Sequence, residues 1–399
     1  MIMSEFKSRS RGHFEWSILA VVYALSILGI ICITMATYDV DTADAPILNK
    51  VLASRSGMWQ SIFLLVSPIV LGVIMAIPTE LFRARARLIY FGILALLVVT
   101  LVAGQVSNGL RGWLKSSILG RSIQVSEFAK LSILLMLARH LSRTEKPMGK
   151  LKDFFRLMFI VGMPSLVVLA QGETGTVIVI VFMFMVMLYF GGVDFRILLA
   201  IVALGVIGIG AIVAYGMMAE TTDYRILRLL AFMDPQKYWD TGGYQIIQSQ
   251  RAIGAGQMNG VGTFVLGSWT TLGYVPESST DSVFTVVGES FGFVGSLAVL
   301  LAYLYLVVRM LYLARFTQDK FGQLVIIGVM AMLLFHVFQN VAMAMGIMPI
   351  TGIPLPFLSY GGSNFITNIA AVALVLNVTR HRTSMPVMTV PLPKLNNER

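Results

Sequence analysis

The stretch WSILAVVYALSILGIICITMA, residues 16–36, contains no charged side chain. As a helix rising about 1.5 Å per residue, it is long enough to cross the ~30 Å hydrocarbon core of a bilayer. Nine further apolar runs follow, at 57–77, 86–104, 123–141, 154–170, 174–190, 196–216, 283–309, 322–345 and 364–380. Together they predict an all-α polytopic membrane protein of about ten transmembrane helices. The fifth and sixth runs are short and are parted only by QGETGT, residues 171–176, which reads as a tight turn at one membrane surface.

Composition points the same way. Of 399 residues, 57% are hydrophobic before the 36 glycines are counted, and 13% are charged, about half the share in soluble domains. An ordinary soluble enzyme is excluded. The single cysteine, Cys32, lies inside the first run, so neither a disulfide framework nor a cysteine zinc site is available. The basic, polar start MIMSEFKSRSRGHFEW is followed by no small-residue cleavage site after the first run, which is expected to be a retained span.

A net charge of +10 in a soluble chain would suggest nucleic acid, but here the basic residues sit in short loops between apolar runs. Placing the N-terminus inside puts 20 Lys and Arg inside and nine outside, with Lys130 in a span, as the positive-inside rule requires. Both termini are expected in the cytoplasm, with no nucleic-acid partner. The chain reads as a single integral membrane domain over 1–399, with an extracytoplasmic loop at 217–282 between helices seven and eight and a short cytoplasmic tail at 383–399. A loop of that length usually carries function. Its Tyr, Trp, Gln and Gly content predicts short amphipathic or re-entrant helices packed on the outer face.

Ionisable groups inside apolar spans are few and default to functional hypotheses. QVSEFAKL, residues 124–131, places Glu127 and Lys130 three apart on one helix face. They read either as a neutralised pair locking helices together or as the lining of a polar cavity, and the residues alone slightly favour the first. NGLRGWL (108–114) with Lys115 and Arg121 puts Arg111 and two more cations outside, against the charge rule. An anionic ligand such as a phosphate would account for them, since guanidinium forks match phosphate oxygens; a solvated loop beside lipid headgroups would do so equally well. YRILRLLAFMDP (224–235) adds Arg225 and Arg228 on one helical face.

ESSTDSVFTVVGESFGF (277–293) sets Asp281 at the membrane surface and Glu289 within the eighth span. By spacing alone Asp281 reads as a helix N-cap, where the helix dipole would lower its pKa. Eight residues of helix put it about 12 Å from Glu289, too far for the roughly 6.5–9.5 Å acid and base pair of an inverting glycosidase. In the ninth span His336, Gln339 and Asn340 read as an interhelical hydrogen-bonding set rather than a metal site. MPITGIPLPFLSYGGSNF (348–365) cannot continue a helix and is expected as an ordered outer loop presenting Ser359, Tyr360 and Ser363.

That proline-rich motif, with the Asp281 segment and GGYQIIQSQRAIGAGQMNGVG (242–262), resembles the SEDS family (shape, elongation, division and sporulation) of peptidoglycan polymerases over roughly 104–380. The resemblance implies ten spans, cytoplasmic termini, the inner membrane of a bacterium, and a large outer loop between spans seven and eight. It further implies glycosyl transfer on lipid II, the undecaprenyl-linked disaccharide-peptide, at the outer leaflet, inverting the anomeric carbon. The implied partners are a class B penicillin-binding protein as transpeptidase, other elongation-complex membrane proteins and membrane lipid. The family's essential aspartate falls on Asp281, its fourth-span pair on Glu127 and Lys130, and its outer arginines on Arg111, Arg225 and Arg228. No metal site or cofactor is defined, and a divalent cation is left open.

The chain departs from the family pattern where Gln171, Gly172 and Glu173 replace Gln-Pro-Asp, and at Val125, Ser282 and Ser290. The compact chain and the start FEWSILA resemble the RodA branch more than the FtsW branch, with a sporulation paralogue as a further choice. Two other classes remain. A lipid II flippase would use the same cavity but tolerate loss of the Asp281 acid, and a non-catalytic scaffold would tolerate loss of the arginines as well.

Overall fold

The ten apolar runs become ten long helices that cross back and forth. The computed structural model describes residues 14–37, 45–107, 110–116, 121–144, 151–218 and 223–380. Helices α1 (Trp16–Thr37), α3 (Arg55–Ala76) and α4 (Thr79–Ala103) come first, with a short α2 (Ile47–Ala53) before α3. Then follow α5 (Val125–Leu141), α6 (Leu151–Ala170), α7 (Thr174–Gly191) and α8 (Phe195–Met218). The bundle closes with α11 (Val283–Arg315), α12 (Lys320–Ala344) and α13 (Gly362–Arg380). Among the described residues nine helices are long and apolar enough to cross a membrane. The tenth, α5, has only 17 residues, because the chain before it is taken up by a strand. The turn expected near 171–176 lies at 171–173, where Gly172 has φ +95°.

Polarity decides which helices sit in the middle. α12 and α13 are buried over most of their length, whereas α8 is almost wholly exposed. The central helices carry the polar side chains, which lipid could not satisfy, and the outer ones present aliphatic surface. Asn377 of α13 shows the logic: its amide donates to Ile74 O (2.8 Å) and Ile77 O (2.7 Å) and accepts from Thr79 Oγ1 (2.6 Å). The turn between α3 and α4 is thereby capped from inside the bundle.

One face of the bundle, here the loop face, carries the strands before α5, the segment between α8 and α11, and the proline-rich loop before α13. Between α4 and α5, β1 (Gln105–Ser107), β2 (Leu110–Ser116) and β3 (Arg121–Gln124) form a three-stranded antiparallel sheet in the order β1-β2-β3. The apolar count does not reveal this sheet. The 217–282 stretch begins as the end of α8 and continues as the expected short helices, α9 (Tyr224–Met233) and α10 (Gly243–Ala255). The 383–399 tail lies outside the described residues.

α11 is longer than expected and is broken at Gly292, where φ is +63° and ψ −159°. Its two halves are stitched together by the loop after α10. Val261 N donates to Glu289 O (2.9 Å), Gly262 N to Ser290 O (3.1 Å), Phe293 N to Gln257 O (2.8 Å) and Val294 N to Met258 O (3.1 Å). Backbone groups that a broken helix would leave bare are thus paired. The approach is so close that a Cβ on Gly292 would stand 2.4 Å from Gly260 N. Gly292→Ala is expected to destabilise the protein by about 2–4 kcal/mol through the clash and the positive φ. An unchanged thermal unfolding midpoint in detergent would refute this.

Candidate active site

Asp281 lies one residue before the N-cap of α11, not at it. The N-cap is Ser282, whose side chain makes no capping bond and instead accepts from Gln245 Nε2 at 2.9 Å. The backbone carbonyl of Asp281 is held by Asn340 Nδ2 (2.7 Å), which also donates to Ile353 O (2.8 Å). Its carboxylate rests against Gly352, where a Cβ would come within 3.2 Å of Oδ2 and where φ is +68°. Glycine is what that approach and that φ require.

This placement reverses the expectation of a lowered pKa. Burial raises the Asp281 carboxyl to about 6, the nearby Glu277 charge adds to the rise, and Arg228 opposes it. The helix dipole does not set the value, because the carboxylate is not in the capping position. A half-buried acid raised in this way, within reach of an arginine's charge, can accept a proton as a general base does.

The proline-rich loop is locked to the Asp281 segment. Tyr360 N donates to Ser279 O (2.8 Å), and Ser359 Oγ donates to Thr280 O (2.5 Å) while accepting from Leu355 N (2.8 Å). Ser359 is buried, with its hydroxyl proton committed. The loop does not present it at the surface as expected, and its position fits holding the loop. Tyr360 and Ser363 are half-buried, and Ser363 Oγ accepts from Gln124 N at 3.0 Å, tying α13 to the sheet.

Inside the bundle Glu127 and Lys130 do pair, at 2.9 Å, and both are buried. The pair extends on both sides. Lys130 Nζ lies 2.9 Å from His336 Nε2, whose Nδ1 lies 2.7 Å from Met332 O, and Asn364 Nδ2 donates to Glu127 Oε2 at 3.0 Å. With Nδ1 donating to the carbonyl, Nε2 is the acceptor for the lysine. The chain links α13, α5 and α12 through one ion pair.

Two carboxylates that sequence reasoning did not place in a site have clear positions. Glu289 is buried and accepts from Trp269 N (2.6 Å), Thr270 N (3.0 Å) and Thr270 Oγ1 (2.6 Å), so it anchors the loop before Asp281. Glu173, just ahead of α7, accepts from Ser126 Oγ and Thr176 Oγ1 beneath Gly112 of β2. Burial raises its pKa. Only the presence of polar residues at the ends of apolar runs signals these contacts in the sequence.

Of the expected cations, Arg228 on α9 acts on Asp281 through its charge. Arg111 and Arg225 are placed only by their backbones, on β2 and α9, and their side chains lie outside the described residues. Among the described residues no cluster of three His, Cys, Asp or Glu side chains is arranged to hold a metal ion.

The fold and site define a multi-pass membrane protein whose polar loops meet around Asp281 at one membrane face. The profile of the family described as cell cycle protein (FtsW, RodA, SpoVE) matches residues 15–384, and the chain belongs to that family. It is 34% identical over 315 residues to the peptidoglycan glycosyltransferase MrdB of Escherichia coli, covering 79% of this chain and 83% of that one. It is also 34% identical to the stage V sporulation protein E of Bacillus subtilis, over 81% of this chain and 86% of the relative. Identity alone does not separate the branches. Among solved structures, one described as a peptidoglycan synthase complex that coordinates polymerization and crosslinking superposes with a TM-score of 0.75 at 27% identity, covering 92% of this chain and 98% of the other. A mutant of the rod shape determining protein RodA of Thermus thermophilus gives 0.66 at 25% identity, covering 92% and 97%.

Proposed function

We propose that this protein is a peptidoglycan glycosyltransferase that polymerises lipid II into glycan strands during cell elongation and shape maintenance. The observation that carries the reading is the placement of Asp281, half-buried against Gly352, its carbonyl held by Asn340 and its segment tied to the proline-rich loop through Ser359, within reach of the Arg228 charge. The attacking sugar hydroxyl gives its proton to Asp281 as its oxygen bonds to the anomeric carbon of the second lipid II. The glycosidic oxygen of the undecaprenyl pyrophosphate leaves with the bonding pair. A pyrophosphate is already a stable anion, so arginines can replace a general acid. A single displacement of this kind inverts the anomeric centre.

In this reading the loop face is extracytoplasmic, residues 217–282 belong to it, and both termini and the 383–399 tail are cytoplasmic, as the excess of basic residues on the other side supports. Arg111, Arg225 and Arg228 bind the pyrophosphate, Tyr360 and Ser363 contact the sugar or peptide, and Glu127 and Lys130 complete the substrate site from within the bundle. A class B penicillin-binding protein is the transpeptidase partner.

The test is polymerisation of purified lipid II by the purified chain, with and without that partner. Absence of glycan in both arms, from folded protein, would overturn the reading. Because the base acts as a carboxylate, the rate should rise with pH through about 6 and level off above it; a rate flat from pH 5 to 8, read as a broad window around that value, would remove Asp281 from proton transfer. Arg228→Lys keeps the charge and loses the bidentate fork, so product should fall in the Lys variant and fall further in Arg228→Ala. Equal, near-normal rates would leave Arg228 outside the leaving-group site.

A further inference from the structure

At the end of the bundle opposite Asp281, α4, α5 and α6 line an open-sided cavity of about 280 Å³ that the proposed reaction does not use. Two arginines edge it, Arg87 of α4 and Arg156 of α6, both exposed. Neither has a salt-bridge partner among the described residues. His140, near the end of α5, contributes a buried Nε2 with no hydrogen-bond partner among the described residues. The charges of Arg87 and Arg156 both reach this histidine, and Arg87 and Arg143 both reach Arg139. Asp153 is the opposing carboxylate that acts on His140. The field in the cavity is positive.

The rest of the wall is apolar. Phe91 and Phe159 line it, and each is about half exposed on the outer surface of the bundle. Tyr90 closes the floor, its hydroxyl donating to Ile160 O at 3.0 Å. Cationic forks above and aromatic surface below, at the end of membrane-crossing helices, match a molecule with an anionic head and apolar tails. The volume is near the lower end of the roughly 300–1,000 Å³ of small-molecule sites, which suits a headgroup whose chains run outside along Phe91 and Phe159. Charge complementarity and lipid-facing exposure select the occupant.

We propose that Arg87, Arg156 and His140 form a binding site for the phosphate headgroup of an anionic phospholipid, on the membrane face opposite the active site. In the tautomer protonated at Nε2, His140 donates a further hydrogen bond to the phosphate, and the lipid bridges α4 to α6 beside the bond from the Tyr90 hydroxyl to Ile160 O.

The test uses the full chain in detergent, titrated with dioleoyl phosphatidylglycerol or dioleoyl phosphatidylcholine and read by native mass spectrometry. The anionic lipid should be retained and the zwitterionic one should not. Removing both arginines in Arg87→Gln with Arg156→Gln should weaken retention about 25-fold, roughly a factor of five for each. Met136→Trp fills the cavity without changing a charge and should also lower retention. Arg196→Gln, an equal loss of charge at an exposed position away from the cavity, should leave it unchanged. Equal retention by wild type and the double variant, or an equal loss in Arg196→Gln, would overturn the site. Displacement by inorganic phosphate as effective as by the lipid would overturn the lipid as its occupant.

Discussion

Asp281→Asn is expected to lower glycan polymerisation by about 10²–10⁴-fold, the range over which a positioned general base contributes. The substitution is nearly isosteric and removes only the ability to take a proton. The backbone bond from Asn340 to the Asp281 carbonyl does not depend on the side chain, so the loops should keep their places. The carboxylate caps no helix, and its loss forfeits no capping energy. Protein yield and thermal midpoint should match wild type while product from purified lipid II disappears. Normal product from a well-folded Asp281→Asn chain would take the catalytic role away from this residue and favour lipid transport or scaffolding.

The second large effect lies in the Glu127–Lys130 pair. Either Glu127→Gln or Lys130→Met leaves one buried charge without its counterpart, a loss of about 3–5 kcal/mol. The double variant removes both charges, so stability should largely return. Activity should not return, because Lys130 also engages His336 and Glu127 also engages Asn364 at the head of α13. Those contacts hold α12 and α13, which carry Asn340 and the proline-rich loop to the Asp281 segment. A cycle measuring both thermal midpoint and polymerisation separates the two roles. Activity recovering together with stability would reduce the pair to helix packing.

What the sequence made legible was local or additive. A run of apolar residues is its own signal, and all ten runs became helices with ends shifted by up to seven residues, the largest shifts being at the start of α4 and the end of α11. The spacing of Glu127 and Lys130 predicted their contact for the same reason. His336 and Asn364 are 206 and 237 residues from the groups they bond, and no spacing rule reaches that far. The sheet of β1, β2 and β3 escaped because its strands are three to seven residues long and rich in polar side chains. The break in α11 escaped because apolar residues flank Gly292 on both sides. Asp281 was misread as a cap because the residue beside it takes that position, and a one-residue offset turns a dipole-stabilised carboxylate into one raised by burial.

The four hydrogen bonds that join residues 257–262 to the broken turn of α11 also bear on how the molecule opens. Loop amides ordinarily exchange with solvent through small local fluctuations, while helix amides in a bundle wait for larger openings. Here the amides of Val261 and Gly262 cannot be released without freeing the carbonyls of Glu289 and Ser290, which belong to the helix. Loop and helix form one cooperative unit, and the segment leading to Asp281 inherits the slow opening of the bundle beneath it. The acid is displayed on a connection that by composition would be among the first parts to loosen, yet that connection can come apart only together with a transmembrane helix.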